Sequence, residues 1–387
     1  RSAVLSKDSW QEQAQYGVEK NLLWDTFIYN SIALNNKLTW ETSEQFGLGV
    51  DLNMFNDRLA MQFDWFEKRT FDLIQTQSMN WPGSIGLDPM LINQGEVRNR
   101  GIELSLNWND RINKDWSYYV GGNFAWLKNW VSNIGVRKPG VWTGDGSFRN
   151  LPYCYQDAEG QPLGSFYLIK NGGIFQSDAE AAAYVDKDGN RIQPNAKAGD
   201  LKFIDYNKDG KITDADRQYC GSATPKYTFS FSAGFTWKDL TFSAMLQGVA
   251  GAKAMNVAKF MTLSDVEGNF NRDSRILGAW SETNRDSDIP RLSKNDPNGN
   301  FSTPSDWYLE NASYLRLKNV TVSYDLTNLI RKSAHLNSRN SRLSVYVSGE
   351  NLCTITNYTG IDPECGGWDA MKYPVARTFS FGVKLTY

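Results

Sequence analysis

The stretch that decides the fold is Thr378-Phe379-Ser380-Phe381-Gly382-Val383-Lys384-Leu385-Thr386-Tyr387, at the end of the sequence. Every second residue is apolar or aromatic, and the residues between them are polar or small. A period of two places the apolar side chains on one face of an extended strand. A run of about ten residues is long enough to cross a bilayer as a tilted strand, and its terminal aromatic ring suits the membrane–water interface. The pattern predicts the last strand of an outer-membrane β-barrel.

The composition is compatible with a barrel and argues against other classes. The 387 residues include 14 Trp, 18 Tyr and 20 Phe, and barrels concentrate such residues at the membrane interfaces. The formal net charge is −2, so there is no basic face for nucleic acid. No apolar run of about 18 residues occurs, which excludes a transmembrane helix. Because the chain begins at Arg1 without a leader pattern, we expect a mature or truncated product.

Alternating segments recur along the whole chain. The clearest runs from Tyr227 to Trp237, with aromatic or Ala residues at odd positions and Ser, Thr or Gly at even ones. Eight more lie near residues 46–52, 59–65, 102–108, 116–126, 240–246, 314–324, 342–349 and 376–387, and a weaker one near 21–30. One segment changes phase between Leu317 and Val320, which predicts a β-bulge at Lys318-Asn319.

The connections between these segments alternate in length. The short ones are Asn56-Asp57, 109–115 and Lys238-Asp239, and the long ones are 68–99, 127–225, 249–313 and 351–375. Outer-membrane barrels have short periplasmic turns and long extracellular loops, so the order predicts a periplasmic C-terminus. A soluble β-sandwich also alternates, but its outer face usually carries Lys and Glu. Here the second face is mostly Ser, Thr, Gly and Asn, which favours the barrel.

The number of strands predicts that the barrel is larger than this sequence. Nine or ten strands of a transporter-sized barrel cannot close, and an open edge in lipid leaves backbone groups unpaired. Outer-membrane transporters use about 22 strands around a plugged lumen. We therefore expect an all-β fold in which residues 1–387 form the C-terminal portion of one such barrel, with the plug and the first strands outside this sequence.

Several motifs resemble the C-terminal half of SusC/RagA-type TonB-dependent transporters of Bacteroidetes. The resemblance extends from about residue 38 to the end of the chain. It rests on the stretches Arg98-Asn99-Arg100-Gly101-Ile102-Glu103-Leu104, Gly199-Asp200-Leu201-Lys202-Phe203 through Asp216-Arg217, Pro225-Lys226, Asp288-Ile289-Pro290-Arg291, Tyr314-Leu315-Arg316-Leu317-Lys318-Asn319-Val320, Glu350-Asn351-Leu352 and Tyr373-Pro374 through Arg377-Thr378-Phe379. Cys353 and Cys365 depart from the family's pattern, in which apolar or small residues are expected.

The resemblance implies a non-enzymatic importer in the outer membrane. Its cargo would be an oligosaccharide, a SusD-like surface lipoprotein would close over the loops, and TonB would supply energy through a plug. Some members of the family import peptides, which is the first alternative. A calcium-dependent glycan-binding surface protein without transport is the second, and such a module would fold without detergent.

One loop has the pattern of a calcium site. Residues 205–216 read D-x-N-x-D-G-x-I-x-x-x-D, with oxygen ligands at positions 1, 3, 5 and 12 and glycine at 6, as in an EF-hand. The candidate ligands are Asp205, Asn207, Asp209, the Lys211 carbonyl and Asp216. A metal-free Asp-rich turn is the alternative. We expect structural Ca²⁺ in the extracellular loop region 127–225.

The remaining candidates are weaker. Trp81, Trp142 and Trp368 lie in long connections and are candidates for stacking on sugar rings, or for packing within the loops. The only histidine, His335, falls in a proposed periplasmic turn, where a Ser-His-Asp triad would have no substrate pocket. Cys353 and Cys365 flank one loop and are either a disulfide or isolated thiols. No Cys/His pattern indicates zinc.

Overall fold

The structure is a computed structural model that describes residues 16–20, 26–30, 35, 37–77, 90–135, 153–264, 266, 271–328 and 342–386. Nine long strands form one antiparallel sheet in which every strand pairs with its neighbours in chain order. They are β1 (Thr42–Met54), β2 (Leu59–Phe71), β3 (Glu96–Asn113), β4 (Trp116–Asn133), β5 (Tyr227–Trp237), β6 (Leu240–Ala250), β7 (Tyr314–Asp325), β8 (Arg342–Thr356) and β9 (Thr378–Thr386). The predicted all-β fold is confirmed.

Shorter elements lie outside the large sheet. The strands are Tyr16–Lys20, Thr26–Asn30, Ile74–Gln77, Met90–Asn93, Tyr155–Gln156, Ser165–Leu168, Asn171–Ile174, Leu201–Phe203, Gln218–Ser222, Lys253–Asn256, Leu309–Asn311 and Trp368–Asp369. The helices are α1 (Asp178–Ala183), α2 (Ala258–Thr262) and three 3₁₀ turns at Asp214–Asp216, Ser274–Gly278 and Asp306–Tyr308. None of the described helices is long and apolar enough to cross a membrane. Within the weak segment near 21–30, the described residues Thr26–Asn30 form a strand that pairs with Tyr16–Lys20.

Short turns and long loops emerge at opposite ends of the sheet. At one end are the tight turns 55–58, Lys114-Asp115 and Lys238-Asp239 and the connection 326–341, and at the other are the longer connections 72–95, 134–226, 251–313 and 357–377. The predicted alternation is therefore confirmed, although β3 and β4 are longer than expected. Their pairing continues past the apolar part, as far as Glu96 opposite Asn133, so the loop predicted over 127–225 begins at residue 134.

The register sorts the side chains into an apolar face and a polar face. One row across the sheet consists of Leu52, Met61, Leu106, Gly122, Phe231, Leu246, Leu317 and Cys353. The adjacent row, on the opposite face, consists of Asp51, Gln62, Ser105, Asn123, Ser230, Gln247, Arg316 and Thr354. Because the side-chain period is two, every strand contributes to both faces.

A β-bulge keeps the apolar face continuous. Leu246 faces Leu317 whereas Met245 faces Asn319, so Lys318 is an extra residue in β7. The bulge returns the side chains of Val320 and Val322 to the face that Leu317 occupies. The bulge predicted from the phase change is confirmed.

Aromatic residues bound the apolar face at both ends. Trp126 pairs with Tyr227 at the long-loop end, and Trp116 pairs with Trp237 at the short-turn end. The residues from Tyr227 to Trp237 span roughly 33 Å along the strand, or roughly 25 Å after a tilt of about 40°. Beyond the first boundary the same face becomes charged, since Arg100 binds Glu67 at 2.7 Å. These dimensions match the apolar band of a membrane barrel.

The buried hydrophobic core lies in the long connections, and among the described residues the sheet adds to it through Val97, Val131 and Tyr314, at the loop end of their strands. Its largest cluster combines Cys154, Phe166 and Leu168 of the second connection with Met255, Val257, Phe260, Phe301 and Tyr308 of the third. Trp368 of the fourth packs against it. By contrast, Phe381 on β9 is 89% exposed. The loops therefore fold as an aqueous domain would, while the strands leave their apolar side chains uncovered.

The two faces of β5 should respond differently to charge. Phe231 is 46% exposed on the apolar face, and Phe231→Arg should lower the free energy of unfolding by roughly 2–4 kcal/mol, the cost of arginine near a bilayer midplane. Ser230→Arg, one residue away on the polar face, is the matched control and should cost less. Urea titration in lipid vesicles measures both, and equal losses would contradict the assignment of the faces.

Candidate functional site in the loop assembly and on the polar wall

The polar face of the sheet forms a concave wall. A cleft of about 560 Å³ on it is lined at the polar positions by Gln62, Asp64, Glu103, Ser105, Asn123, Thr228, Ser230 and Gln247. Some of these side chains bind one another across strands, as when Asn123 Nδ2 donates to Ser230 Oγ at 3.1 Å. The wall offers hydroxyl, amide and carboxylate groups to a polar ligand. Sequence reasoning missed these residues because it sought sites only in the loops, although the even positions of β5 already carried the signal.

Asp216 anchors the loop that resembles a calcium site. Its carboxylate is fully buried and accepts hydrogen bonds from the backbone N–H groups of Tyr206 at 2.9 Å and Thr213 at 2.7 Å. A longer bond comes from the N–H of Asn207 at 3.3 Å. Thr213 and Asp216 also form a capping box for the 3₁₀ turn. Backbone donors therefore use most of the acceptor capacity of this carboxylate.

The other three candidate side chains lie in the same turn. The Asp205 carboxylate accepts from the N–H of Gly210 at 2.8 Å, and Asn207 Oδ1 accepts from the N–H of Asp209 at 2.9 Å. Asp209 Oδ1 accepts from the N–H of Lys211 at 2.9 Å. Gly210 has φ +83°, and a Cβ there would lie 2.8 Å from the Asp186 carboxylate. The turn thus needs glycine at this position, as the motif predicts.

The fit of this loop to a cation is partial. Asp205, Asn207 and Asp209 keep lone pairs that are not engaged by the backbone, whereas Asp216 is turned into the loop. Within the described residues no three acidic, His or Cys side chains form a group that could hold a metal ion. Calcium binding stays a prediction, and Asp205, Asn207, Asp209 and the Lys211 carbonyl are the groups that would hold the ion.

Two sequence motifs that are far apart in the chain meet in the loop assembly. Asp200 is fully buried and accepts hydrogen bonds from Arg291 Nη2 at 2.9 Å and from Asn300 Nδ2 at 2.8 Å. A Cβ at Gly199, where φ is +87°, would lie 2.3 Å from the Trp280 ring. Glycine is therefore required where the backbone of the second long connection docks on the third.

Arg316 joins the wall to the fourth long connection. It lies on the polar face of β7 and is 3% exposed. Its guanidinium binds Asp362 at 2.7 Å and Glu364 at 2.8 Å. A fork of five donors suits two carboxylates at once. Glu310 and Lys259, both in the third connection, form an ion pair at 2.7 Å, and Glu310 also accepts from the N–H of Thr359 in the fourth connection at 2.7 Å. Burial alone would raise the pKa of Glu310, but Lys259 and Thr359 outweigh it and hold the pKa below its usual value.

The family model described as TonB dependent receptor-like, beta-barrel matches residues 13–352. The chain belongs to the TonB-dependent receptor family. TonB-dependent receptor P3 of Formosa agariphila is 30% identical over 91% of this chain and 35% of its own length. TonB-dependent receptor SusC of Bacteroides thetaiotaomicron is 25% identical over 92% of this chain and 33% of its own length.

Solved structures agree with this assignment. The RagAB peptide transporter superposes with a TM-score of 0.75 and 26% identity, over 98% of this chain and 39% of that one. This TonB-dependent receptor chain therefore spans between a third and two fifths of the length of the relatives that it matches, and corresponds to their C-terminal portion. Its place is the outer membrane, so the exposed apolar face of the sheet is the lipid face and the polar wall lines the lumen.

The structure describes some of the other predicted site residues and not others. Trp368 lies 5.9 Å from the Tyr155 ring, centroid to centroid, and packs on the loop core, while its contact with sugar stays a prediction. Trp81, Trp142 and His335 lie outside the described residues. Cys353 is exposed on the lipid face and Cys365 is buried in the loops, without a disulfide between them. Burial raises the pKa of Cys220 to about 11, so this loop thiol stays protonated at neutral pH.

Replacing Asp216 should loosen the 205–216 loop. In Asp216→Asn an amide nitrogen faces backbone donors, so at least one buried N–H loses its acceptor, at a cost of about 1–3 kcal/mol. We expect faster trypsin cleavage after Lys208 and Lys211 in the detergent-solubilised protein, followed by mass spectrometry. Asp188→Asn in the neighbouring turn is the matched control, because the Asp188 carboxylate accepts no hydrogen bond among those described for this turn. Equal cleavage of the two variants would contradict the anchoring role.

Calcium should protect the same loop. If the remaining lone pairs of Asp205, Asn207 and Asp209 hold the ion, millimolar calcium should slow cleavage after Lys208 and Lys211 relative to EGTA, with an affinity of about 10⁻⁴–10⁻³ M. Asp209→Ala should abolish the calcium effect without the large loss of the Asp216 variant. Cleavage that does not change between calcium and EGTA would support the metal-free turn.

Proposed function

We propose that the chain forms the lumen wall and the extracellular loops of a TonB-dependent importer. The observation that carries this proposal is the family match over residues 13–352, on a sheet whose lipid face is apolar and whose lumen face carries hydroxyl and amide groups. A wall of this kind separates lipid from an aqueous path for a polar solute. The uncovered apolar face favours this function over that of a soluble glycan-binding module.

The long loops would be extracellular and the short turns periplasmic. Barrels of the outer membrane have this asymmetry, and the C-terminal strand β9 then runs towards the periplasm. The loop assembly would stand above the membrane, since its core is packed like that of a soluble domain and its junctions are ionic. Structural calcium in the 205–216 loop would fit an extracellular position, where the ion is plentiful.

The partners would be a SusD-like surface lipoprotein and the TonB complex. The ion pair of Asp200 with Arg291 joins the second connection to the third, and that of Arg316 with Asp362 joins β7 to the fourth. A lid would bind on the surface that these joined loops form. The RagAB peptide importer has been solved in an 'open-open' state and in a 'closed-closed' state. TonB would act on the portion of a full-length receptor that lies outside this chain, which spans about a third of the length of its relatives.

The cargo would be an oligosaccharide. Ser105, Asn123, Ser230 and Gln247 line the wall cleft and can exchange hydrogen bonds with sugar hydroxyls in either direction. A peptide is the second candidate, because the similar RagAB structures are named as peptide importers. Backbone amides of a peptide would use the same groups of the wall.

The test is energised uptake in the native organism. A strain without the gene should lose TonB-dependent uptake of one class of cargo, identified by supplying purified oligosaccharides and peptides separately. Complementation with Asn123→Arg, which places a long cation in the lumen cleft, should restore membrane protein but only part of the uptake. Gly122→Ala is the control on the lipid face, where the nearest atom is 3.7 Å from the added Cβ. Full uptake by the deletion strain, or recovery of the protein as a water-soluble monomer, would refute the proposal.

A further inference from the structure

A second cavity continues the wall cleft towards the loops. It has a volume of about 750 Å³. It lies beside the first residue of β5, where β4 extends beyond the part that pairs with β5. Leu127 on β4, Lys226 directly before β5 and Gly251 directly after β6 line it, and each lies two positions from a residue of the cleft, namely Ala125, Thr228 and Val249. The backbone pairing of the strands continues to Lys226, whose carbonyl accepts from the Leu127 N–H at 3.0 Å. A shift of two positions keeps a side chain on the same face. The cavity is therefore an extension of the lumen surface beneath the loop assembly.

The charge of this cavity has one sign. Its lining includes Lys128, Lys226 and Lys253 and contains no Asp or Glu. Lys128 Nζ lies 5.4 Å from the centroid of the Trp130 ring, on the lipid-facing side, so the lumen charge comes from the other two lysines. In the part of the chain that the structure describes, neither Lys226 nor Lys253 has an ion-pair partner.

Two glycines leave room for the side chains of these lysines. At Gly251, where φ is +80°, a Cβ would lie 2.9 Å from Lys226 Cβ and 3.0 Å from its Cγ. At Gly221, where φ is +127°, a Cβ would lie 2.9 Å from Lys253 Cγ. The lysine stems thus lie directly on the backbone of adjacent segments. Stems held in this way lose part of their rotational freedom before a ligand arrives, which lowers the entropic cost of binding.

Neutral donors complete the lining. Tyr219, on the short strand Gln218–Ser222, also lines the cavity. Burial raises the pKa of its hydroxyl, so the group is a proton donor at neutral pH. Two ammonium groups in a concave site without a counter-ion attract anions. Below the cavity the wall carries Asp64 and Glu103, which repel anions. The favourable position for a negative group is therefore the cavity and not the cleft.

We propose that this cavity is an anion subsite on the import path, in which Lys226 and Lys253 bind a carboxylate or sulfate group of the cargo. The inference rests on the proposed function, since the group must belong to a solute in the lumen. A uronate or sulfated sugar and an acidic peptide present the same chemistry. The subsite therefore selects anionic cargo whichever of the two classes is imported.

The test uses the full receptor complex purified in detergent. The probes are oligogalacturonate with its methyl ester, and oligoglutamate with oligoglutamine, so that each anion has a neutral counterpart. The affinity of the double variant Lys226→Gln/Lys253→Gln for the better anionic probe, measured by calorimetry, should fall about tenfold, as expected when charge-assisted hydrogen bonds are lost. Lys226→Arg/Lys253→Arg keeps both charges and should retain binding. Lys238→Gln, in a tight turn at the other end of the wall, is the matched control.

The salt dependence gives an independent readout. Binding of the anionic probe should weaken with added NaCl in the wild-type complex and lose much of this dependence in the double glutamine variant. Binding of the neutral counterparts should be the same in all variants. The anionic probe that binds more tightly, sugar or peptide, identifies the source of the charge.

Two results would contradict the proposal of an anion subsite. In one, the wild-type complex binds neither anionic probe better than its neutral counterpart. In the other, the double glutamine variant binds the anionic probe as tightly as the wild type. Either result leaves TonB-dependent uptake of cargo intact if the proposed function is correct. Full uptake by the deletion strain, together with charge-selective binding by the purified complex, would instead refute the importer and keep the anion site.

Discussion

The fold depends on the strict alternation of side chains in strands that pair in a fixed register. Within a bilayer every backbone N–H and C=O group must be paired. Antiparallel neighbours on both sides provide this pairing for the inner strands β2 to β8, whereas β1 and β9 are the edges of the described sheet and have one neighbour each. The alternation of side chains then determines which face of the sheet contacts lipid and which lines the lumen. A slip of one residue in any strand would turn its polar side chains to lipid. The bulge at Lys318 is a local departure that preserves the rule, since without it Val320 and Val322 would point into the lumen.

Lipid also explains where the hydrophobic core lies. Side chains such as Phe379 and Phe381 gain nothing from packing on one another when acyl chains solvate them, and they remain uncovered by protein. The loops stand in water and must bury their own apolar groups. They do so around Phe166, Phe260 and Tyr308. Buried ionic junctions such as Asp200 with Arg291 then fix which loop packs on which, because a carboxylate buried without its partner is costly.

The sequence predicted the parts of the structure that depend on local periodicity. The nine strands, the bulge and the alternation of turns and loops follow from runs of period two, because each run carries its own signal in β1 to β9. The loops carry no such signal. Short strands such as Ser165–Leu168 pair with segments about 50 residues away, and only tertiary packing decides these partners. The buried role of Arg316 likewise depends on the path of the fourth connection.

The 205–216 loop shows why a motif predicts geometry better than it predicts chemistry. The spacing of Asp205, Asn207, Asp209 and Gly210 requires a tight turn, and the turn is present. The same oxygens that could bind a cation can accept backbone hydrogen bonds, and Asp216 does so. Sequence spacing cannot distinguish the two uses, because both need acceptors that converge.

The lysine cavity differs from this loop, because the stretch Pro225-Lys226 includes only one of its two lysines and no motif includes Lys253. Lys226 follows Pro225 at the entry to β5, and Lys253 is about 30 residues away, beyond the β5–β6 hairpin. They line one cavity because the hairpin returns Gly251 to the level of Lys226, where the Lys226 N–H donates to Ala250 O at 3.0 Å. The short strand Gln218–Ser222 then brings Gly221 against the stem of Lys253. The two glycines with positive φ thus allow the lysine side chains to lie close to the backbone of neighbouring segments, and the positive charge collects above the acidic part of the wall. Because the positive and acidic regions are separated along the lumen, an anionic solute has one favourable position before it passes through the barrel.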